Sequence, residues 1–223
     1  MDGSGSLFGE FIASLARGVE VIVVSYPTDR PLGYPELEAL ARAALPTDRP
    51  FVLVGESFSG PIAVSLAASS PVGLRGVVLV CSFVRSPVAV PRLLRVFLNM
   101  LPVWLVPVRM AAVVLLGRFR SPALCARLSS AMASVSPSMW RARIRAVLSA
   151  DVTMHLSKVT VPVLYLRATE DRVVPRSASE LISLSLPSVR MVELEGPHFM
   201  LQAKPAESVA LVQGFMRELG FML

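Results

Sequence analysis

Short, valine-rich apolar runs alternate with helix-like stretches along most of this chain, and that alternation limits the fold more than any other feature. "VEVIVVSY" (19–26), "PFVLVG" (50–55), "LRGVVLVCSF" (74–83), "VPVLYLRA" (161–168) and "VRMVELEG" (189–196) read as strands, most of them apolar enough to be buried on both faces. Around them, 7–17, 34–45, 59–70, 176–186 and 205–219 read as helices. In the first, Leu7, Phe8, Phe11, Ile12 and Leu15 recur at three- and four-residue spacing, and Gly18 suits the position just past a helix end. In the second, Pro35 falls in the first turn, with Glu36 and Glu38 near the positive end of the helix dipole. Strand and helix in alternation predict an α/β domain, a mostly parallel sheet with helices on both faces.

The alternation stops between 84 and 150, where Pro87, Pro91, Pro102, Pro107, Pro122 and Pro137 punctuate four short helical stretches. This predicts a helical insert, 84–150, packed over one end of a core made of 1–83 and 151–223. The stretch "VFLNMLPVWLVPVRMAAVVLL" (96–116) is the best candidate for a membrane span. Arg109, Asn99 and two prolines disfavour that reading, because a mid-bilayer arginine is costly and proline breaks helical hydrogen bonding. The first residues, "MDGSGSLFGEF", lack the basic start and apolar run of a signal peptide, and the expected location is cytoplasmic. Cys81 and Cys125 are isolated and suit buried thiols in a reducing compartment. The two histidines, His155 and His198, are too few for a histidine-rich metal site, and no cofactor is expected.

Charge is unevenly spread. Ten arginines lie between Arg85 and Arg145, while no Asp or Glu occurs between Ser57 and Ala150. Ordinary solvated faces are favoured over an anion-attracting or membrane-facing surface, and no aromatic or Gly-rich motif supports nucleic-acid binding.

Reactive groups in a parallel sheet gather at the carboxyl ends of its strands. Three residues meet that condition. Ser57, in "VLVGESFSGPIAV" (52–64), follows one predicted strand; Asp171, in "ATEDRVVP", follows another; His198, in "EGPHFML", follows the last. A serine hydroxyl becomes a nucleophile when a base takes its proton, histidine titrates in the right range to be that base, and a carboxylate holds the imidazole in place. Each residue also has a plainer reading: Ser57 as a helix N-cap, Asp171 as a turn cap, His198 as a structural histidine. Glu170 and, less well, Asp151 compete for the role of acid. Glu56 reads as a hydrogen-bonding neighbour of Ser57, and His155 as a surface or helix-cap residue.

These segments resemble those of the α/β-hydrolases. "GESFSG" is similar to the G-x-S-x-G nucleophile elbow, "EDRVVP" to the acid loop and "GPHFMLQAKPAE" to the histidine loop, in the family order Ser, Asp, His. The resemblance covers nearly the whole chain, with 84–150 in the place of the variable cap. It implies an α/β-hydrolase fold, Ser57, Asp171 and His198 as catalytic residues, and backbone oxyanion donors at Phe58 and Met1, with Asp2 and Gly3 shaping the loop. The expected activity is that of a serine hydrolase on a small-molecule carboxylic ester, thioester or lactone with a small to medium apolar acyl group, through an acyl-enzyme. A dehalogenase would want a carboxylate at position 57. The alternative is a catalytically weak member of the fold that binds a hydrophobic ligand or a membrane surface.

Two departures from the family pattern stand out. The fifth elbow position is Ser59, with glycine one place later at Gly60, which predicts local strain or a shifted helix packing. The resemblance also begins in mid-motif at Met1, so the strand that the family sets between 19–26 and 50–55 has no counterpart. A start that lies upstream is the favoured expectation; a shortened chain, a sheet that closes up and a strand supplied by another chain, with oligomers as a consequence, stand beside it. A chain terminus is a poorly preorganised oxyanion donor, so the expectation includes a slow enzyme.

Overall fold

The computed structural model describes residues 3–15, 19–88, 106–186 and 188–222. Four strands form one parallel sheet in chain order: β1 (Phe51–Glu56), β2 (Leu74–Val80), β3 (Val163–Glu170) and β4 (Arg190–Pro197). The middle strands are the most apolar, and Val78, Val80, Leu164 and Leu166 are fully enclosed. Helices cover both faces, as buried parallel strands require.

On one face lie α1 (Gly9–Leu15) and the closing helix α10 (Pro205–Glu218), which bury Phe11, Leu15, Val212 and Phe215 against the sheet. Their approach depends on Gly76 in β2, where a Cβ would sit 2.6 Å from Leu219. On the other face, α2 (Tyr34–Ala43), α3 (Gly60–Ala68) and α8 (Arg176–Ser185) pack through Leu37, Ala63, Val64 and Ile182. The helix expected over 7–17 is shorter in the described part, and its Gly18 terminus lies outside the described residues.

The insert supplies α4 (Val108–Leu116), α5 (Pro122–Ala133) and α6 (Pro137–Ser149); the expected first helical stretch falls largely on 89–105, outside the described residues. Its two ends meet. Arg85 and Asp151 form an isolated antiparallel bridge, flanked by Ser86 N–H to Ala150 O and Val152 N–H to Val84 O. The chain thus leaves and re-enters the core through one neck. A one-turn helix, α7 (Thr153–Leu156), then leads to β3, and another, α9 (Met200–Ala203), follows β4. Among the described residues no helix is long and apolar enough to cross a membrane; α4 covers only the last part of the candidate span.

One expected strand is absent as a strand. Residues 19–26 run without helix or sheet assignment, and their only backbone–backbone bond among the described residues is Tyr26 N–H to Gly3 O, 2.7 Å. The expected burial on both faces fails too, since Ile22 and Val23 are 46% and 41% exposed. The run is apolar as read, but a strand also needs a neighbour about 4.8 Å away to bond with, and none lies beside it among the described residues. Between 19–24 and β1 lies a cavity of about 470 Å³ floored by Phe11, Leu15, Val212 and Met216. β1 is therefore a sheet edge, with Val54 38% exposed along it.

Candidate active site

At the carboxyl end of β1 the chain turns sharply into α3, and Ser57 occupies that turn with φ +50°. A non-glycine residue in this region is strained by about 1–2 kcal/mol. Three contacts hold it there. Gly55 lies so near α3 that a Cβ would come within 3.0 Å of both Ala63 Cβ and Ser59 O. Gly60 presses on the segment after β2: a Cβ there would fall 1.7 Å from Ser82 Oγ. Ser82 Oγ in turn donates to Ser57 O at 2.7 Å. The glycine displaced by one place is thus the residue that the close approach needs, and Ser59 sits half-buried without crowding.

Ser82 is fixed by Tyr165 of β3, whose hydroxyl donates to Ser82 O at 2.6 Å and accepts from Ser82 N–H at 3.0 Å. A hydrogen-bonded path therefore runs across the ends of β3, β2 and β1 to the backbone of Ser57. Burial pushes the Tyr165 hydroxyl far above its ordinary range, so it stays a donor.

The structure brings the three predicted side chains together. His198 Nε2 lies 2.8 Å from Ser57 Oγ, and Nδ1 lies 2.9 Å from Asp171 Oδ2 and 3.0 Å from Oδ1. Asp171 Oδ1 already accepts the N–H groups of Val173 and Val174, at 2.8 and 2.9 Å. The carboxylate is therefore an acceptor, the proton on the imidazole sits at Nδ1, and Nε2 is left to accept from Ser57. His198 is 1% exposed, and the Asp171 side chain 7%. The competing acids are engaged elsewhere: Glu170 pairs with Arg118, and Asp151 with Arg85 and Thr153.

The histidine loop is tied down on both sides. Phe199 N–H donates to Leu115 O at the end of α4, and Phe199 packs with Ala112, Leu116 and Leu128 of the insert. Glu56, beside the nucleophile, accepts from Leu201 N–H and Gln202 Nε2 of α9, at 3.2 and 2.8 Å. Burial raises its carboxyl above the ordinary value, partly offset by the Gln202 bond and the nearby His198. The expected hydrogen-bonding role of Glu56 is thus filled, toward the helix after His198.

Of the expected oxyanion donors, Phe58 directly follows Ser57; its carbonyl accepts from Tyr34 OH at 3.1 Å, and the two rings stack at 4.8 Å. Met1 and Asp2 lie outside the described residues. His155 pairs with Ser65 Oγ at 3.0 Å on α3, away from this cluster. Cys81, at φ +46° just past β2, is buried; desolvation first, then the Asp171 charge, hold its thiol well above the ordinary range. That keeps the sulfur protonated and a poor nucleophile. Cys125 is half-buried, and the two cysteines are not bonded. Among the described residues no three His, Cys, Asp or Glu side chains gather as a metal site.

Sequence reading missed Ser82, Tyr165 and Arg143. Ser82 and Tyr165 belong to segments read only as strands. Arg143, one of ten insert arginines, carried no signal to set it apart; the structure buries it completely, over the rings of Tyr26 and Phe58.

A parallel sheet carrying serine, acid and histidine on the carboxyl-end turns of β1, β3 and β4 defines the α/β-hydrolase class. The chain belongs to that class: the model of the Alpha/beta hydrolase family matches residues 3–211. No curated protein matches it. Among solved structures, the esterase EaEST from Exiguobacterium antarcticum superposes with a TM-score of 0.81 at 15% identity, covering 96% of this chain and 88% of that one. The enol-lactonase from Burkholderia xenovorans LB400 gives 0.80 at 17%, covering 97% and 88%. A thermophilic esterase from Thermogutta terrifontis gives 0.78 at 16%, covering 97% and 86%. At these identities the likeness is one of fold.

Proposed function

We propose that this chain is a serine hydrolase that cleaves a carboxylic ester, thioester or lactone through an acyl-enzyme, with Ser57, His198 and Asp171 as its catalytic residues. The observation that carries the reading is the unbroken chain Ser57 Oγ–His198 Nε2, Nδ1–Asp171, at 2.8 and 2.9 Å. His198 takes the Ser57 proton as Oγ attacks the acyl carbonyl, then gives it to the leaving oxygen or sulfur. Asp171 holds the imidazole tautomer and stabilises the imidazolium. Phe58 N–H donates to the developing oxyanion, with the Met1 backbone as the second donor. Water then repeats the sequence in reverse. The insert, 84–150, serves as the cap, its Leu115 carbonyl anchoring Phe199 N–H beside His198, and its apolar composition favours an apolar acyl group.

Hydrolysis of p-nitrophenyl esters of graded chain length tests the proposal. Wild type is expected to turn over short to medium esters and to take a fluorophosphonate label. Ser57→Ala is expected to lose the label and at least about 10³-fold in kcat, with melting temperature little changed. Equal turnover by the two proteins would overturn it.

A second reading, a weak hydrolase that binds a hydrophobic ligand, is favoured by the apolar cavity of about 470 Å³ beside β1. Unlabelled wild type that binds a fluorescent fatty acid tightly would select it over the first.

A further inference from the structure

We propose that Arg143 is a positioning residue for acyl transfer, holding the two walls of the oxyanion site, Phe58 and the Gly3 loop, in register through Tyr26. The proposal rests on the hydrolase reading above.

Arg143 projects from α6 of the insert and is fully enclosed, at 0% exposure. A buried guanidinium loses its hydration, a cost of several kcal/mol that needs compensation. Two aromatic faces supply part of it. The guanidinium carbon lies 5.1 Å from the Phe58 ring centroid and 5.3 Å from that of Tyr26, both within cation–π range. The rings belong to the two segments that matter for an oxyanion. Phe58 carries the N–H that follows the nucleophile. Tyr26 N–H bonds Gly3 O, which fixes the loop on the other side.

Gly3 also lies close to the cation, with no room for a side chain between them. It adopts φ +77°, and a Cβ there would lie 3.1 Å from Tyr26 Cβ and 3.2 Å from Arg143 Nη2. Phe58 is pinned from its far side by the stacked Tyr34. Tyr34, Phe58, Arg143, Tyr26 and Gly3 therefore form one packed series that joins the elbow to the oxyanion loop, and only Arg143 in it comes from the insert. A planar, delocalised cation can rest on two rings at once; an ammonium cannot do so with the same geometry.

The test compares wild type, Arg143→Met and Arg143→Lys for hydrolysis of p-nitrophenyl butyrate, inhibition by a boronic acid, and melting temperature. A boronic acid forms a tetrahedral adduct on Ser57 and so reports the oxyanion site apart from substrate binding. Arg143→Met is expected to lower kcat roughly tenfold to a hundredfold, short of the 10²–10³ for deleting an oxyanion donor outright. KM should stay within about threefold, and boronate affinity should fall in step with kcat/KM. Arg143→Lys should recover part of kcat. If Arg143→Met does not fold, Arg143→Lys alone decides, with a fall in kcat and boronate affinity expected at unchanged KM.

Unchanged kcat and boronate affinity in a folded variant would overturn the proposal and leave the hydrolase reading intact. So would a variant with a lowered melting temperature and normal kinetics, since that is a structural role alone. Wild type without turnover or boronate binding would take down both.

Discussion

At Gly60 one missing carbon decides whether Ser57 can be held in its turn at all. A Cβ there would meet Ser82 Oγ at 1.7 Å and Ser82 Cβ at 2.7 Å, and Ser82 itself supports the Ser57 carbonyl. Gly60→Ala is therefore expected to cost about 3 kcal/mol, at the upper end of overpacking effects. Adding Ser82→Gly removes the colliding atoms and should recover about half of that loss in urea unfolding, although it gives up one hydrogen bond. Additive losses in the double variant would show that the clash is relieved elsewhere. That Ser57, Asp171 and His198 would meet was legible before any coordinates, because each follows a strand and only a few residue types suit the roles proposed for them. Ser82, Tyr165 and Arg143 were not. Their roles depend on which atoms of distant segments meet, and nothing in a local pattern records that.

At the scale of elements, β1 and residues 19–26 show what an apolar pattern leaves open. Both runs are valine-rich, yet only β1 is a strand, because only β1 lies beside a bonding neighbour. Among the described residues β1 pairs on one side only, and its other side, with Val54 exposed, is the usual kind of template for edge-to-edge association. Val54→Lys should slow aggregation at 37 °C, followed by light scattering, with the melting temperature within a few degrees of wild type. Unchanged scattering would show that this edge is not where chains associate. The other strands were found within a few residues of their expected ends. Their bounds follow from composition, since a run buried on both faces must be apolar throughout, whereas the exact ends depend on the turns that follow.

For the molecule as a whole, the uneven charge is resolved by docking. The insert has arginines without acids, and among the described residues Arg127 pairs with Glu10, Arg118 with Glu170 and Glu195, and Arg85 with Asp151 at the neck, all carboxylates of the core. These pairs are exposed, so each is weak and screened by salt. Raising NaCl to 1 M should speed hydrogen exchange in 106–150 more than in β2 and β3, as the insert loosens from an apolar sheet that salt does not weaken. A uniform change across the chain would mean that apolar contacts such as Phe199 with Ala112 and Leu116 hold the insert alone. The order of the four paired strands and their helices, and the meeting of Ser57, Asp171 and His198, were written in the chain's local chemistry, since burial and reactivity restrict residue type position by position. The unfilled gap beside β1, the pairing of insert with core and the enclosure of Arg143 were decided only on folding, because each depends on the distance between groups that the sequence keeps far apart.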